Sequence, residues 1–167
     1  MLNHLRSIVQ QVNAAGDIEH IYDIITNQLC EVMNSEICSI YLSTEDATSL
    51  TLAASKGLRP DYVKAFKLKS NQGIVGAVFT KSDYIVTDDA PSHDSFYPLT
   101  DSGEDKAKAF IGVPLVHYRK ALGVLVVQRF STQVFTEDDA SFLITLSAQL
   151  SGIIANAGIK ASWEQPN

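Results

Sequence analysis

The sequence predicts an α+β domain, with antiparallel strands in the middle of the chain and helices at both ends. Three patterns carry that prediction. Apolar residues recur at helical spacing near the N-terminus and again after Thr136. Two pairs of β-branched and aromatic runs are each joined by a short polar turn. A chain of 167 residues, 46% of them hydrophobic, is sized to bury one core.

Leu2, Leu5, Val9 and Val12 form the stripe of a first helix, which Ala14-Ala15-Gly16 ends. Asp17 is placed to cap a second helix, whose stripe is Ile18, Ile21, Ile25, Leu29 and Val32. Ile37–Leu42 then reads as a strand, Ser43-Thr44-Glu45-Asp46 as turn, and Leu50–Ala54 as the returning strand. Pro60–Phe66 suits a short helix, and Phe66–Lys69 a short extended piece. Gly73-Ile74-Val75-Gly76 opens a helix to Thr80, and Tyr84–Thr87 is a strand. Residues 88 to 106 form a long polar connection; compact domains seldom keep one without using it. Phe110–Tyr118 and Leu122–Phe130 are a hairpin around Arg119-Lys120-Ala121. Thr136 with Asp139 resembles a capping box for a last helix, where Leu143, Leu146, Leu150, Ile153 and Ala157 make a coiled-coil-like seam. Gly158 ends it, leaving 159–167 as tail or the start of a linker. The terminal helices are expected on one sheet face, and the irregular middle over the other, where a small-molecule cavity belongs.

Composition removes several functions. Thirteen basic against nineteen acidic residues give a net charge of −6 with no basic run, a poor phosphate-backbone binder. No uninterrupted apolar stretch reaches the ~18 to 20 residues of a membrane span, and the N-terminus lacks a signal peptide's apolar block. Two cysteines make no disulfide framework, so a cytoplasmic setting is expected. His4, His20, His93 and His117 are too dispersed for a metal site, no cofactor motif is present, and no Ser–His–Asp arrangement is signalled. Cys30, in a helix stripe, and Cys38, in a strand, read as packed small hydrophobes.

Several segments carry a resemblance. These are Cys38-Ser39-Ile40-Tyr41-Leu42, Gly73-Ile74-Val75-Gly76, Asp89-Ala90-Pro91-Ser92-His93, Gly112-Val113-Pro114-Leu115, Leu122-Gly123-Val124-Leu125, and Phe135-Thr136-Glu137-Asp138-Asp139 through Ile154-Ala155-Asn156-Ala157. In order and spacing the chain resembles a GAF domain over about residues 5 to 158. The Leu2–Gly16 helix and Gln128-Arg129 are similar to the regulatory N-terminal domains of nitrogen-related phosphoenolpyruvate–protein phosphotransferases. The resemblance implies a six-stranded antiparallel sheet with helices on one face and a ligand pocket on the other. It also implies a non-catalytic sensor of nitrogen status, through glutamine or 2-oxoglutarate, that regulates a following phosphotransferase module.

Alternation along Ile37–Leu42 sends Cys38, Ile40 and Leu42 to the helix side, and Ser39 and Tyr41 to the pocket as ligand-binding hydroxyls. The competing reading bonds Ser39 to a neighbouring carbonyl. Ile74 and Val75 lie in a glycine-flanked helix start whose N–H groups attract an anion. Phe96 and Tyr97 can stack on a ligand while Asp101 and Lys108, with Lys106, supply charge. Against that, the aromatic pair can simply plug the loop onto the core, and exposed lysines are ordinarily solvated.

Three rival functions are weighed on single residues. GAF-fold reductases of free methionine sulfoxide have a cysteine where this chain has Val75. Bilin-binding relatives attach chromophore through a cysteine after His93, and none follows here. Cyclic-nucleotide binders often carry Asn-Lys where Gln128-Arg129 stands, although Arg129 is available to pair with Asp138 or Asp139. The stripes of Leu2–Val12 and Leu143–Ala157 each need an apolar partner; one can pack on the sheet, and the regular Leu143–Ala157 seam predicts a parallel homodimer, against the competing reading of an ordinary buried helix. If the pocket is filled by native side chains, a purely dimerising and coupling module remains.

Overall fold

The computed structural model describes residues 2–98 and 102–164. Helices α1 (Leu2–Ala14) and α2 (Ile18–Val32) lead into strands β1 (Ile37–Ser43) and β2 (Ser49–Lys56). A single 3₁₀ turn at Pro60–Tyr62, β3 (Lys67–Lys69), helix α3 (Gly73–Lys81) and β4 (Ile85–Thr87) follow. The long connection leads to β5 (Ala109–His117), β6 (Lys120–Arg129) and the terminal helix α4 (Glu137–Glu164). The six strands form one antiparallel sheet in the order β3-β2-β1-β6-β5-β4, as expected.

Local chemistry explains most boundaries. The Asp17 side chain accepts the His20 N–H at 2.8 Å and so caps α2. At α4 the reciprocal pair is present: Asp139 N–H donates to Thr136 Oγ1 at 3.1 Å, and Thr136 N–H to Asp139 Oδ2 at 2.8 Å. The helix expected over Pro60–Phe66 shrinks to one turn. Lys64 takes a left-handed φ of 68°, and the sheet edge claims this backbone, through Lys64 N–H to the Leu52 carbonyl and Leu52 N–H to the Phe66 carbonyl. Extended pairing outbids a second helical turn there.

Two cores lie on opposite sheet faces. Cys38, Ile40, Ala54, Ile111, Val113, Leu125 and Val127 face α1, α2 and α4. Ile37, Tyr41, Leu50, Leu52, Val124 and Val126 face α3 and the connection. The predicted alternation of β1 is therefore the one observed. Strand β6 crosses the sheet centre, and Gly123 is obligatory there: a Cβ would sit 1.9 Å from the Tyr41 carbonyl oxygen. Cys30 and Cys38 are both buried on the helix side, where loss of hydration pushes their thiol pKa values up, that of Cys30 to about 11.

The seam of α4 finds a partner within the chain. Leu143, Leu146 and Leu150 are 0% exposed within the single chain, where α4 packs on β5 and α1. An internal partner already satisfies most of the stripe that suggested a second copy; Ile153 and Ala157 are half-buried and Leu2 stays exposed. The residues Glu137–Ala157 are also long and apolar enough, by length and composition, to cross a membrane, contrary to the reading from uninterrupted apolar runs. Core packing accounts for that apolar character, since the stripe faces the sheet.

Candidate functional site

On the sheet face opposite the terminal helices the chain forms a small, partly open cavity of about 20 Å³. Its apolar wall comes from Leu68 of β3, Ile74 and Val75 of α3, and Phe110 of β5. Phe96 and Tyr97, from the long connection, flank it on the outside. Two polar side chains complete the lining: Glu104, from the short turn Glu104–Lys106, and Gln128 of β6. The volume admits about one water-sized species. Phe96 packs against the apolar layer on this face, while Tyr97 lines the cavity and stays largely exposed.

Glu104 dominates the electrostatics. Burial raises its carboxyl pKa from an ordinary 4.5 to about 7, against a smaller opposing effect of a hydrogen bond with Gln128. Among the described residues no lysine, arginine or histidine lines the cavity. Tyr41, fully buried on the same face, has its phenol pKa pushed up by burial and, secondarily, by the nearby Glu104 charge. The site thus holds an acid poised near neutrality in an apolar wall.

The helix start at Gly73–Val75 borders the cavity as expected. Gly73 has a φ of 76°, a conformation open to glycine, and a Cβ on it would lie 3.4 Å from the Tyr97 Cβ. Gly76 answers to packing instead, since a Cβ there would sit 2.6 Å from the Asn71 carbonyl carbon. Gln72, at the N-cap, makes no side-chain cap; its Oε1 accepts the Lys69 N–H at 3.2 Å.

The remaining predicted site residues scatter. Ser39 lies on the cavity side but does not reach it; its hydroxyl bonds the Ser55 hydroxyl across the strands at 2.9 Å, a partner other than the backbone carbonyl of the competing reading. Tyr41 lies beneath the cavity and is not part of its wall. Lys108 is half-buried outside the lining, and its backbone links Arg129 to Ala90. Lys106 is exposed, and Asp101 lies outside the described residues. The charge in the cavity is therefore negative where a lysine was expected. Glu104 went unnoticed because nothing in Glu104-Asp105-Lys106 distinguishes it from a solvated turn. Gln128 did leave a signal, a polar side chain continuing the inward series Val124, Val126.

Arg129 departs from the aspartate pairing considered for it. Its Nη2 donates to the Met33 carbonyl at 2.8 Å and Nη1 to the Gln133 carbonyl at 3.0 Å, while the guanidinium lies 4.1 Å from the Phe135 ring centroid. It fastens the end of α2 to the segment leading into α4, and Asp139 is spent on the capping box.

Comparison with known proteins agrees with this architecture. The GAF domain model matches residues 17–154. A phosphoenolpyruvate-dependent phosphotransferase system protein of Salmonella typhimurium is 34% identical over 165 residues, or 99% of this chain, and the chain spans only 22% of that relative. The crystal structure of the GAF domain from an Acinetobacter phosphoenolpyruvate-protein phosphotransferase is 38% identical, with a TM-score of 0.87 over 96% of both chains. The corresponding domain from Coxiella burnetii gives 31% and 0.91, again over 96% of both. By sequence and by fold alike, this chain belongs to the GAF domain family.

Proposed function

We propose that this chain is a non-catalytic regulatory domain of a phosphoenolpyruvate–protein phosphotransferase. In this reading it responds to a small molecule in the Glu104–Gln128 cavity and passes the response through α4. The similarity to phosphotransferase GAF domains supports the parent activity. The observation that carries the sensing role is the pair of polar side chains set in an apolar cavity. A space that only had to be filled would gain about 1–3 kcal/mol from apolar side chains there, so a retained carboxyl points to a ligand.

The signal proposed is nitrogen status, and the lining favours glutamine over 2-oxoglutarate. A dianion would meet Glu104 with no cation to offset it, whereas glutamine brings N–H donors to Glu104 and a carboxylate suited to the first turn of α3. Because the small cavity has room for about one water, glutamine binding requires Phe96 and Tyr97 to swing outward. Coupling of this kind is typically worth about 1–3 kcal/mol. The coupling of α1 and α4 to a second copy is proposed on the exposed Leu2 and half-buried Ile153 and Ala157.

The small cavity volume favours one alternative, a coupling scaffold whose pocket is vestigial. Calorimetry and melting with glutamine, 2-oxoglutarate and cyclic nucleotides separates the two. Glutamine alone should give heat and a raised melting temperature; silence from every compound would leave the scaffold reading.

A further inference from the structure

We propose that this small cavity is itself a binding site for the ammonium ion, held by the Glu104 carboxylate beside Phe96 and Tyr97. This rests on reading the cavity as a signal-binding site, and adds a ligand that needs no opening of it. Three observations converge.

Size comes first. A cavity of about 20 Å³ accepts one species the size of water and excludes organic metabolites and hydrated metal ions. Charge comes second. Among the described residues Glu104 is the one charged side chain in the lining. The groups facing it are the Gln128 amide from β6 and two tyrosines, Tyr41 from β1 and Tyr97 from the connection, none of which supplies a positive charge. The third is the nature of the wall. The rings of Phe96, Tyr97 and Phe110 suit a polyatomic cation able to rest against aromatic carbon while donating N–H bonds. Alkaline-earth ions require six or more oxygens, more than the side chains of Glu104, Gln128 and Tyr97 can bring to this lining together.

The balance of the event is simple. With its carboxyl poised near neutrality, Glu104 is partly protonated in the empty cavity. Ammonium enters, the carboxyl proton leaves to solvent, and a carboxylate–ammonium pair remains; no covalent bond forms. Proton release must therefore accompany binding at slightly acid pH, and affinity must rise with pH as the acid ionises.

The test replaces sodium chloride with ammonium chloride at constant ionic strength and follows melting, with calorimetry in buffers of different ionisation heat. Ammonium should raise the melting temperature saturably, about tenfold more potently than potassium, and more strongly at about pH 8 than at pH 6. Calorimetry of the wild type should detect proton release, a readout that needs no variant. Glu104→Gln should fold and lose the response. An equal response to potassium, an undiminished response in the variant, or binding without proton release would overturn the assignment. Glutamine, titrated in parallel, keeps the two readings apart: glutamine binding without an ammonium response overturns only the ammonium site, and silence from both overturns the sensing reading with it.

Discussion

Glu104→Gln should make the domain more stable at alkaline pH and barely change it in mild acid. The carboxyl has a pKa of about 7 in the folded chain, against an ordinary value of 4.5. The folded state therefore binds more protons than the unfolded one between these values, so stability falls as pH rises through that window. Below about pH 4 both states are protonated and the group costs nothing; above about pH 8 the penalty is complete, at roughly 3 kcal/mol from ~1.36 kcal/mol per pKa unit. At pH 5 it is still below about 1 kcal/mol. Glutamine keeps the shape and hydrogen-bonding capacity and abolishes the ionisation. Urea unfolding of both proteins at pH 5 and pH 8 should show the variant's advantage growing by about 2–3 kcal/mol, which is a midpoint shift of order 1 M at a typical slope. Every other carboxylate is common to both proteins and cancels in the comparison. A difference that does not change with pH, or a wild type that gains on the variant as pH rises, would refute a desolvated acid at this position.

Arg129→Gln should cost about 2–4 kcal/mol in urea unfolding, because the Met33 and Gln133 carbonyls lose their donor and Phe135 loses its cation. Arg129→Lys should recover only part, since an ammonium cannot span both carbonyls with a rigid fork. Gly123→Ala should prevent normal folding, judged by circular dichroism and solubility, because the new Cβ collides with backbone in the middle of the sheet. Thr136→Ala removes half of the capping box and should lower stability by about 1 kcal/mol, measured in the same way.

How far the sequence could be read depended on the range of the forces involved. Alternation and helical stripes are set by apolar surface seeking cover, so β1, β6, α2 and α4 and the faces they turn inward were legible. The caps at Asp17 and Thr136 were legible because both partners lie within three residues. The Pro60–Phe66 segment was not, because its backbone bonds go to Leu52 across the sheet edge. The α4 seam left its partner open because a stripe shows that a partner exists without naming it, and α1 and β5 supply one from inside the chain. The site was half legible: the aromatic pair and the α3 turn reach the cavity, while Ser39, Tyr41 and Lys108 stop short of it.

By itself the order of residues determined the main strands and helices and the two sheet faces, since these follow from local periodicity and turn chemistry, while the family was legible through the resemblance of ordered segments; α4 runs past Gly158, where the sequence reading ended it, to Glu164. Only the tertiary structure decided the size and the charge of the cavity. Whether a glutamate in a polar turn is solvated or buried depends on which distant side chains close over it, and Phe96, Phe110 and Gln128 come to Glu104 from separate parts of the fold.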